Sequence, residues 1–340
     1  MSPSYVLAAD IGGTKIATAV VSSTGEILQM SKSPTSLNGP SALLDQITTM
    51  LQADLKRAGV DAEDVLGLGV GIPAVIDEHH KVIVWAPNLP GWENIPLHDE
   101  LVKRLGLPVH IEYDGHAAVL GEWWLGAGRG YRSVVFVIVG TGIGGGMILD
   151  GRLYRGASRL AGAAGWFVLG TQRASDKYAR QLGHWESLAA GPGIARYTVE
   201  RLRQSDQPSL LRSLSLSTSE PLTARMVFDA ARQGDPLADE IARYVGEVLG
   251  VGIANIVSLV NPEVVIIGGG VGTQADLFID RIREVVIHNA QPISAQAVQI
   301  VPSQLGESAG LLGAAKAMLL LYEQGIIPIG SNDPTVVEYN

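Results

Sequence analysis

The stretch Asp10-Ile-Gly-Gly-Thr-Lys15 decides the fold, and it directly follows the apolar run Tyr5-Val-Leu-Ala-Ala9. The run predicts a buried strand that ends at Asp10, and the two glycines predict a tight hairpin after it. Glycines let a backbone approach an anion closely, while Thr14 and Lys15 add a donor and a positive charge. The motif alone is equally consistent with an ordinary hairpin that carries exposed polar residues.

The apolar pattern after this hairpin predicts an antiparallel meander followed by alternating helices and strands. Such an order is typical of an α/β fold. The predicted strands of this part are Val6–Asp10, Ile16–Val21, Glu26–Met30, Val65–Gly71 and Val109–Glu112, and the predicted helices are Ala42–Ala58 and Pro96–Leu105.

The opening pattern is repeated in the middle of the chain. Val134–Val139 predicts an apolar strand, Gly140–Gly146 contains five glycines and a threonine, and Met147–Leu149 predicts the returning strand. Two copies of strand, glycine-rich hairpin and strand indicate a duplicated fold with a cleft between the copies, where ligands commonly bind. Because an ordinary hairpin does not need so many glycines, the second copy favours a phosphate-binding role.

A third glycine-rich segment follows the predicted strand Val264–Ile267. Gly268-Gly-Gly270 either lets a base or ribose lie against the backbone or forms a plain turn from strand to helix. The remaining helices are predicted at Ala238–Val260 and Ala309–Tyr322. The small residues of Ala309–Ala315 predict close helix packing or a hinge, and the tail from Ile326 to Asn340 shows no period.

Composition excludes several classes of protein. The 340 residues are 46% hydrophobic and carry a net charge of −9, which argues against nucleic acid as a partner. The absence of cysteine excludes disulfides and thiolate metal sites. The N-terminus lacks a signal-peptide pattern, and no apolar run reaches membrane-spanning length, so we expect a cytoplasmic protein without membrane partners.

Taken together, these motifs resemble the ROK family of sugar kinases (repressor, open reading frame, kinase), within the actin, hexokinase and Hsp70 superfamily. The resemblance runs over about residues 5 to 325. It is carried by Asp10–Lys15, Pro87–Trp92, Asp114, Ala117–Glu122, Gly140–Gly146, Gly268–Gly270 and Ala309–Ala315.

The resemblance implies two ribonuclease-H-like lobes around a central cleft, ATP and Mg²⁺ as cofactors, and a homodimer. It also implies Asp114 as the general base, a role that is compatible with capping the following helix. Asp10 is expected near the metal through water. The expected nucleotide-binding residues are Asp10, Gly12, Gly13, Thr14, Lys15, Gly140, Thr141, Gly142, Gly144, Gly268, Gly269 and Gly270. The expected substrate-binding residues are Asn88, Tyr113, Asp114, Ala163, Trp166 and Glu186.

The resemblance also implies domain bounds. We expect a small lobe at residues 1–120 with about 312–330, a large lobe at 121–311, and a tail at 331–340. Family members that repress transcription carry a helix-turn-helix region before this first strand. Only Met1–Ser4 precede the strand here, so we do not expect a repressor.

The chain departs from the family where the family binds its sugar. Tyr113 replaces an asparagine beside the base, and His116 replaces another two residues after it. Ala163 and Trp166 replace a glutamate and a histidine that contact the sugar. The family's zinc site has no ligands left in Ser175–Glu186, so no zinc is expected. Glu186 alone keeps a sugar-contact position, or it is a solvated residue at a helix start.

These departures predict a kinase with its phosphate side retained and its acceptor side altered. The expected acceptor is a glucose-type hexose, an amino or deoxy sugar, or a C7-cyclitol. Asn88, Glu112 and His116 remain candidates for binding acceptor hydroxyls, and a purely structural role is the alternative for His116 and His184. A non-catalytic sensor of the same fold and a polyphosphate-dependent kinase are the alternatives, and the acidic composition disfavours the latter.

Overall fold

A computed structural model of the chain describes residues 5–77, 82–86, 89–170, 177–217 and 221–327. Within these residues the strands are β1 (Tyr5–Ile11), β2 (Lys15–Ser22), β3 (Ile27–Pro34), β4 (Val65–Ile72), β5 (Val75–Asp77), β6 (Val82–Trp85), β7 (Val109–Tyr113), β8 (Val134–Val139), β9 (Ile143–Leu149), β10 (Arg152–Leu153), β11 (Val264–Gly268) and β12 (Gln299–Pro302). The helices are α1 (Pro40–Ala58), α2 (Leu97–Leu105), α3 (Asp114–Leu125), α4 (Lys177–Leu182), α5 (His184–Ala189), α6 (Gly191–Gln204), α7 (Leu210–Ser217), α8 (Ala224–Arg232), α9 (Pro236–Val260), α10 (Gly269–Gly272), α11 (Ile279–Asn289), α12 (Pro292–Ala297) and α13 (Ala309–Glu323).

The two larger sheets have the same topology. One has the strand order β3-β2-β1-β4-β7, and the other has the order β10-β9-β8-β11-β12. In each sheet an antiparallel hairpin, β1–β2 or β8–β9, is extended by two parallel strands. The duplication predicted from the sequence is therefore present in the fold.

The chain packs into two compact units. Unit 1 comprises residues 1–129, 153–161 and 307–340, and unit 2 comprises residues 130–152 and 162–306. The predicted small lobe ended at residue 120 and resumed near 312. The structure differs because α3 runs unbroken to Leu125 and packs on α13, which keeps residues 121–129 and all of α13 in unit 1.

Helix α1 shows how local sequence sets an element of unit 1. Pro40 occupies the first turn, where its missing N–H costs nothing, and Gly59 ends the helix in the left-handed conformation with φ 66°. Leu43, Ile47 and Leu51 recur at a spacing of four and are fully buried. The helix thereby covers one face of the first sheet, packing on β2 and β3.

Close packing of α3 on α13 explains the small-residue stripe. A Cβ on Gly313 would lie 1.5 Å from the carbonyl oxygen of Ala117, and one on Gly121 would lie 2.2 Å from that of Ala309. Any side chain at either glycine would push the helices apart. The stripe is therefore a packing feature, as one of the two sequence interpretations had it.

Helix α9 forms the centre of unit 2. The Asp235 carboxylate caps it by accepting hydrogen bonds from the N–H groups of Leu237 and Ala238, and Asn261 ends it with φ 50°. By length and composition alone α9 is apolar enough to span a membrane. Its buried side chains lie in the unit 2 core, which accounts for that composition.

Sheet register brings particular residues to one edge of each unit. In unit 1 Asp10 pairs with Gly71 on β4, and Ile72 pairs with Tyr113 on β7. Because these strands are parallel, their carboxyl ends meet, and Asp114 begins α3 at the same edge. In unit 2 the equivalent edge carries Gly268, which pairs with Ile138 just before the β8–β9 hairpin.

Candidate active site

Asp10 is a desolvated carboxylate at the end of β1. Its pKa is raised from 3.8 to about 7, mainly by burial and also by the negative charge of Asp114, while Lys15 opposes the increase. A Cβ on Gly310 would lie 2.9 Å from the Asp10 carboxylate, so the second residue of α13 must be small. No hydrogen bond from the described residues reaches this carboxylate, which leaves its oxygens available to a ligand.

Asp114 is the first residue of α3. Its pKa is raised from 3.8 to about 6, mainly by burial, while the Gly115 N–H and the nearby His116 oppose the increase. The Gly115 N–H donates to Oδ1 at 2.7 Å, which fixes the side chain at the helix start. Asp114 is thus a carboxylate that is ionised at neutral pH yet basic enough to accept a proton.

The β1–β2 hairpin uses part of its backbone internally. The Gly12 N–H donates to the Lys15 carbonyl at 2.9 Å, and the Gly12 carbonyl accepts from the Thr35 hydroxyl at 2.6 Å. The Thr14 carbonyl likewise accepts from the Thr35 N–H. The Gly12 N–H is therefore used within the turn. The predicted contacts with an anion would have to come from the other groups of Gly12–Lys15.

Lys15 is held by an acidic partner that the sequence did not indicate. Its ammonium lies 2.5 Å from Glu307, which also pairs with Lys32 at 2.8 Å. These two lysines lower the pKa of Glu307 to about 2, although more than half of that side chain is exposed.

In unit 2 the glycines of the β8–β9 hairpin divide into packing and open positions. Strand β9 begins at Ile143, earlier than the predicted Met147, so Gly144 lies within the sheet opposite Ile138. Gly145 is required for packing, because a Cβ there would lie 2.2 Å from the Phe136 carbonyl. Sheet packing thus explains some of the glycines that favoured a phosphate site. Only the hairpin tip at residues 140–142 remains as a candidate for phosphate binding.

The hairpin tip lies beside the start of two helices of unit 2. The Gly191 N–H at the start of α6 donates to the Gly140 carbonyl at 2.8 Å, and a Cβ on Gly140 would lie 3.8 Å from the Gly270 nitrogen. Gly269, with φ 83°, makes the turn from strand to helix. Gly270 has open space where a Cβ would be, so among the three predicted glycines it is the one open to a ligand.

Glu186 packs against the same hairpin. Its Oε2 accepts a hydrogen bond from the Ile143 N–H at 2.8 Å, and burial raises its pKa above the usual value. A Cβ on Gly142 would lie 2.7 Å from that oxygen, and one on Gly165 would lie 3.1 Å from it. Glu186 is therefore packed between the hairpin and the Ala163–Trp166 loop, and its side chain is only partly solvated.

The remaining residues expected to bind the substrate differ in burial and in the contacts they make. Ala163 is half-buried, whereas the Trp166 side chain is 51% exposed and presents a large apolar surface. Tyr113 contacts the His116 ring edge-on, with centroids 5.3 Å apart. His184 Nδ1 accepts from the Leu169 N–H at 2.9 Å, which is a structural role. Asn88 lies outside the described residues.

No group of three or more His, Asp or Glu side chains in the described part of the chain is arranged to hold a metal ion. The segment in which the zinc ligands are missing, Ser175–Glu186, is described only from residue 177 onward. Among the described residues, a metal ion would therefore have to bind at a single carboxylate, and Asp10 is the candidate.

Comparison with known proteins identifies the family. The model of the ROK family matches residues 6–320. The chain belongs to the ROK family. A glucokinase from Thermotoga maritima is 35% identical to this ROK protein over 312 residues, which cover 91% of this chain and 96% of that enzyme. The resemblance to ROK sugar kinases is thereby confirmed.

Solved structures confirm the fold class. A ROK family glucokinase from Streptomyces griseus, in complex with glucose and AMPPNP, matches with a TM-score of 0.78 and 32% identity, covering 92% of this chain and 98% of that one. A ROK hexokinase from Thermus thermophilus matches with a TM-score of 0.74 and 29% identity, covering 94% and 100%. The ROK chain is accordingly a mixed α/β protein of the actin-like ATPase fold.

Sequence reasoning missed three residues of this ROK site. Arg155 and Glu307 are charged partners of site residues, and Gly310 gives the Asp10 carboxylate room. All three lie at least 40 positions from their partners along the chain, so no local pattern identifies them. Glu112 was considered as an acceptor ligand, and His116 as either an acceptor ligand or a structural residue; the structure shows both engaged with protein groups.

Proposed function

We propose that this chain is an ATP-dependent kinase that transfers the γ-phosphoryl group to a hydroxyl of a sugar or sugar-like polyol. Its relatives include glucokinases at about one-third identity, and the Streptomyces griseus structure contains glucose and an ATP analogue. One observation carries the proposal: Asp114 lies at the carboxyl edge of the unit 1 sheet with a pKa of about 6. A non-catalytic sensor has no use for such a poised carboxylate.

Asp114 is proposed to take the proton from the acceptor hydroxyl as the oxygen attacks phosphorus. At pH 7.5 most Asp114 is ionised, and the Gly115 N–H keeps its orientation. Transfer then yields the phosphorylated polyol and ADP, and the carboxyl releases its proton to solvent. Tyr113, which precedes the base, is proposed to contact the acceptor.

Asp10 fits a hydrated Mg²⁺. Hard cations prefer carboxylate oxygens, and the Asp10 carboxylate has no hydrogen bond from the described residues. Burial and the charge of Asp114 both penalise its ionised form, so a nearby cation would relieve that penalty. When bound, Mg²⁺ would neutralise phosphate charge, and Asp10 would orient its water ligands.

Nucleotide binding is proposed for the glycine segments of each unit. In unit 1 these are Gly12, Gly13, Thr14 and Lys15, with Lys15 leaving Glu307 to meet a phosphate. In unit 2 they are Gly140, Thr141, Gly142, Gly144, Gly268, Gly269 and Gly270. The open position at Gly270 and the exposed Thr141 support close approach of a ligand there.

The acceptor is proposed to be a glucose-type hexose, an amino or deoxy sugar, or a C7-cyclitol. Ala163 offers no hydrogen bond, and Trp166 offers an aromatic face, so this surface favours an acceptor with an apolar side. Glu186 lies next to this loop and Asn88 precedes α2 in the chain; both are proposed contacts. A cytoplasmic homodimer without zinc remains part of the proposal, and light scattering tests the oligomeric state.

An ADP-release assay with MgATP tests the function. The panel comprises hexoses, amino sugars, deoxy sugars and C7-cyclitols, and Asp114→Asn is run beside the parent and Asp61→Asn. Asp61 is an exposed aspartate of the same unit without a side-chain capping bond, so it controls for the loss of a carboxylate. Turnover of one acceptor in the parent and Asp61→Asn, but not in Asp114→Asn, supports the kinase. Nucleotide binding without turnover of any acceptor would favour the sensor.

A further inference from the structure

Glu112 and His116, two residues before and two residues after Asp114, belong to a buried cluster of charged groups. The Glu112 carboxylate is 2% exposed, and its Oε2 accepts from Arg155 Nε at 3.0 Å and Nη2 at 2.6 Å. Its Oε1 lies 3.1 Å from His116 Nδ1, and His110 Nε2 lies 3.5 Å from Oε2. The phosphoryl-transfer roles proposed above use none of these contacts.

The cluster fixes the charge of Glu112. Burial alone would raise its pKa, but hydrogen bonds from His110 and His116 and the charge of Arg155 together hold the pKa well below its ordinary value. Glu112 is therefore an ionised carboxylate, and each of its oxygens is a hydrogen-bond acceptor only.

His116 faces an acceptor on each side of its ring. Nδ1 meets the ionised Glu112, and Nε2 lies 2.8 Å from the carbonyl oxygen of Ala161. A neutral imidazole has one N–H and would leave one buried acceptor facing a lone pair. Both contacts are hydrogen bonds only when both ring nitrogens of His116 carry a proton.

These contacts connect the start of α3 to a separate stretch of chain. Residues 153–161 pack with unit 1, although the chain on both sides of them belongs to unit 2. Glu112 binds Arg155 near the start of this stretch, and His116 contacts the Ala161 carbonyl at its end. Two residues after Ala161 the chain reaches Ala163, the first residue of the Ala163–Trp166 loop that is proposed to contact the acceptor.

We propose that His116 is a positioning residue that ties the start of α3, where Asp114 lies, to the 153–161 stretch, holding the base and the Ala161 carbonyl in register through one charged ring. The proposal rests on the proposed kinase function. Where the family has an asparagine, this chain has a ring that can donate a hydrogen bond on each side and carry a positive charge. Asparagine can supply the donor but lacks the charge.

Two variants separate the contributions of the donor and the charge. His116→Ala loses both, so the acceptor KM should rise about tenfold, the size of one lost hydrogen bond to a charged or buried partner, while the ATP KM stays unchanged. The acidic limb of kcat against pH should also move to higher pH, because His116 no longer favours ionised Asp114. His116→Asn should recover the acceptor KM but keep the shifted limb.

The titratable and charged groups around His116 are Glu112 and His110 on β7, Arg155 on the 153–161 stretch, and Asp114 on its own helix, with Asp10 beyond Asp114. His98→Asn removes another buried histidine, on α2, and serves as the matched control for folding. Parent-like acceptor KM and pH limb in His116→Ala would overturn the proposal, as would a parent-like limb in His116→Asn.

A measurement without turnover complements the kinetics. In the full chain labelled with ¹⁵N-histidine, His116→Asn identifies the His116 signals, and both ring nitrogens should be protonated at pH 7.5. A single neutral tautomer would overturn the charged link. If the parent phosphorylated no acceptor, the kinase proposal would fail, and these spectra would still decide the charge state of His116.

Discussion

Asp114→Asn should stabilise the folded protein at alkaline pH. Folding raises the Asp114 pKa from 3.8 to about 6, so the folded state binds more protons than the unfolded state between these values. Stability therefore falls as pH rises through this window, and the loss is complete above it. The pKa change corresponds to about 3 kcal/mol at pH 8, and asparagine, which cannot ionise, avoids this cost.

Thermal unfolding of the parent and the variant across pH measures this effect. With roughly 2–4 °C per kcal/mol for a unit of this size, the Tm of Asp114→Asn should exceed that of the parent by about 5 °C or more at pH 8. The difference should vanish near pH 4, where both side chains are neutral when folded. Asp61→Asn should follow the parent. Equal Tm values for Asp114→Asn and the parent at pH 8 would refute the burial argument.

Three further substitutions test the packing and nucleotide contacts. Gly313→Ala should destabilise the protein by at least about 3 kcal/mol in urea, because its methyl group would overlap the Ala117 carbonyl; parent-like unfolding would contradict the α3–α13 contact. Gly270→Ala should unfold like the parent yet raise the ATP KM, and an unchanged KM would remove Gly270 from the nucleotide site. Glu307→Gln should free Lys15 and lower the ATP KM by up to about fivefold, as expected for an exposed ion pair; a raised KM would show that Glu307 helps binding.

The sequence was sufficient for the fold where local pattern and packing agree. The strand–hairpin–strand motif at Asp10–Lys15 and its repeat at Gly140–Gly146 led to two sheets with the same strand order. Glycine counts were less informative, because Gly145 and Gly269 serve contacts with the backbone of β8 that only the folded sheet creates. A glycine needed for packing and a glycine needed by a ligand look the same in sequence.

The site was predictable where one strand end carries the chemistry and not where distant segments meet. Asp10 and Asp114 follow buried strands, so their position at the sheet edge could be inferred. The Arg155 partner of Glu112 is 43 residues away, and the Glu307 partner of Lys15 is 292 residues away. Such pairings depend on tertiary structure, and they change the interpretation of both Glu112 and Lys15.

The most direct test of the account is the pH dependence of turnover with MgATP and the best acceptor, compared between the parent and Asp114→Asn. The parent should show an acidic limb with an apparent pKa near 6, the value that burial gives Asp114. Asp114→Asn should lose at least about 100-fold in kcat at pH 7.5 while still binding ATP. An Asp114→Asn variant with parent turnover would contradict the assignment of the base and, with it, the mechanism proposed for this chain.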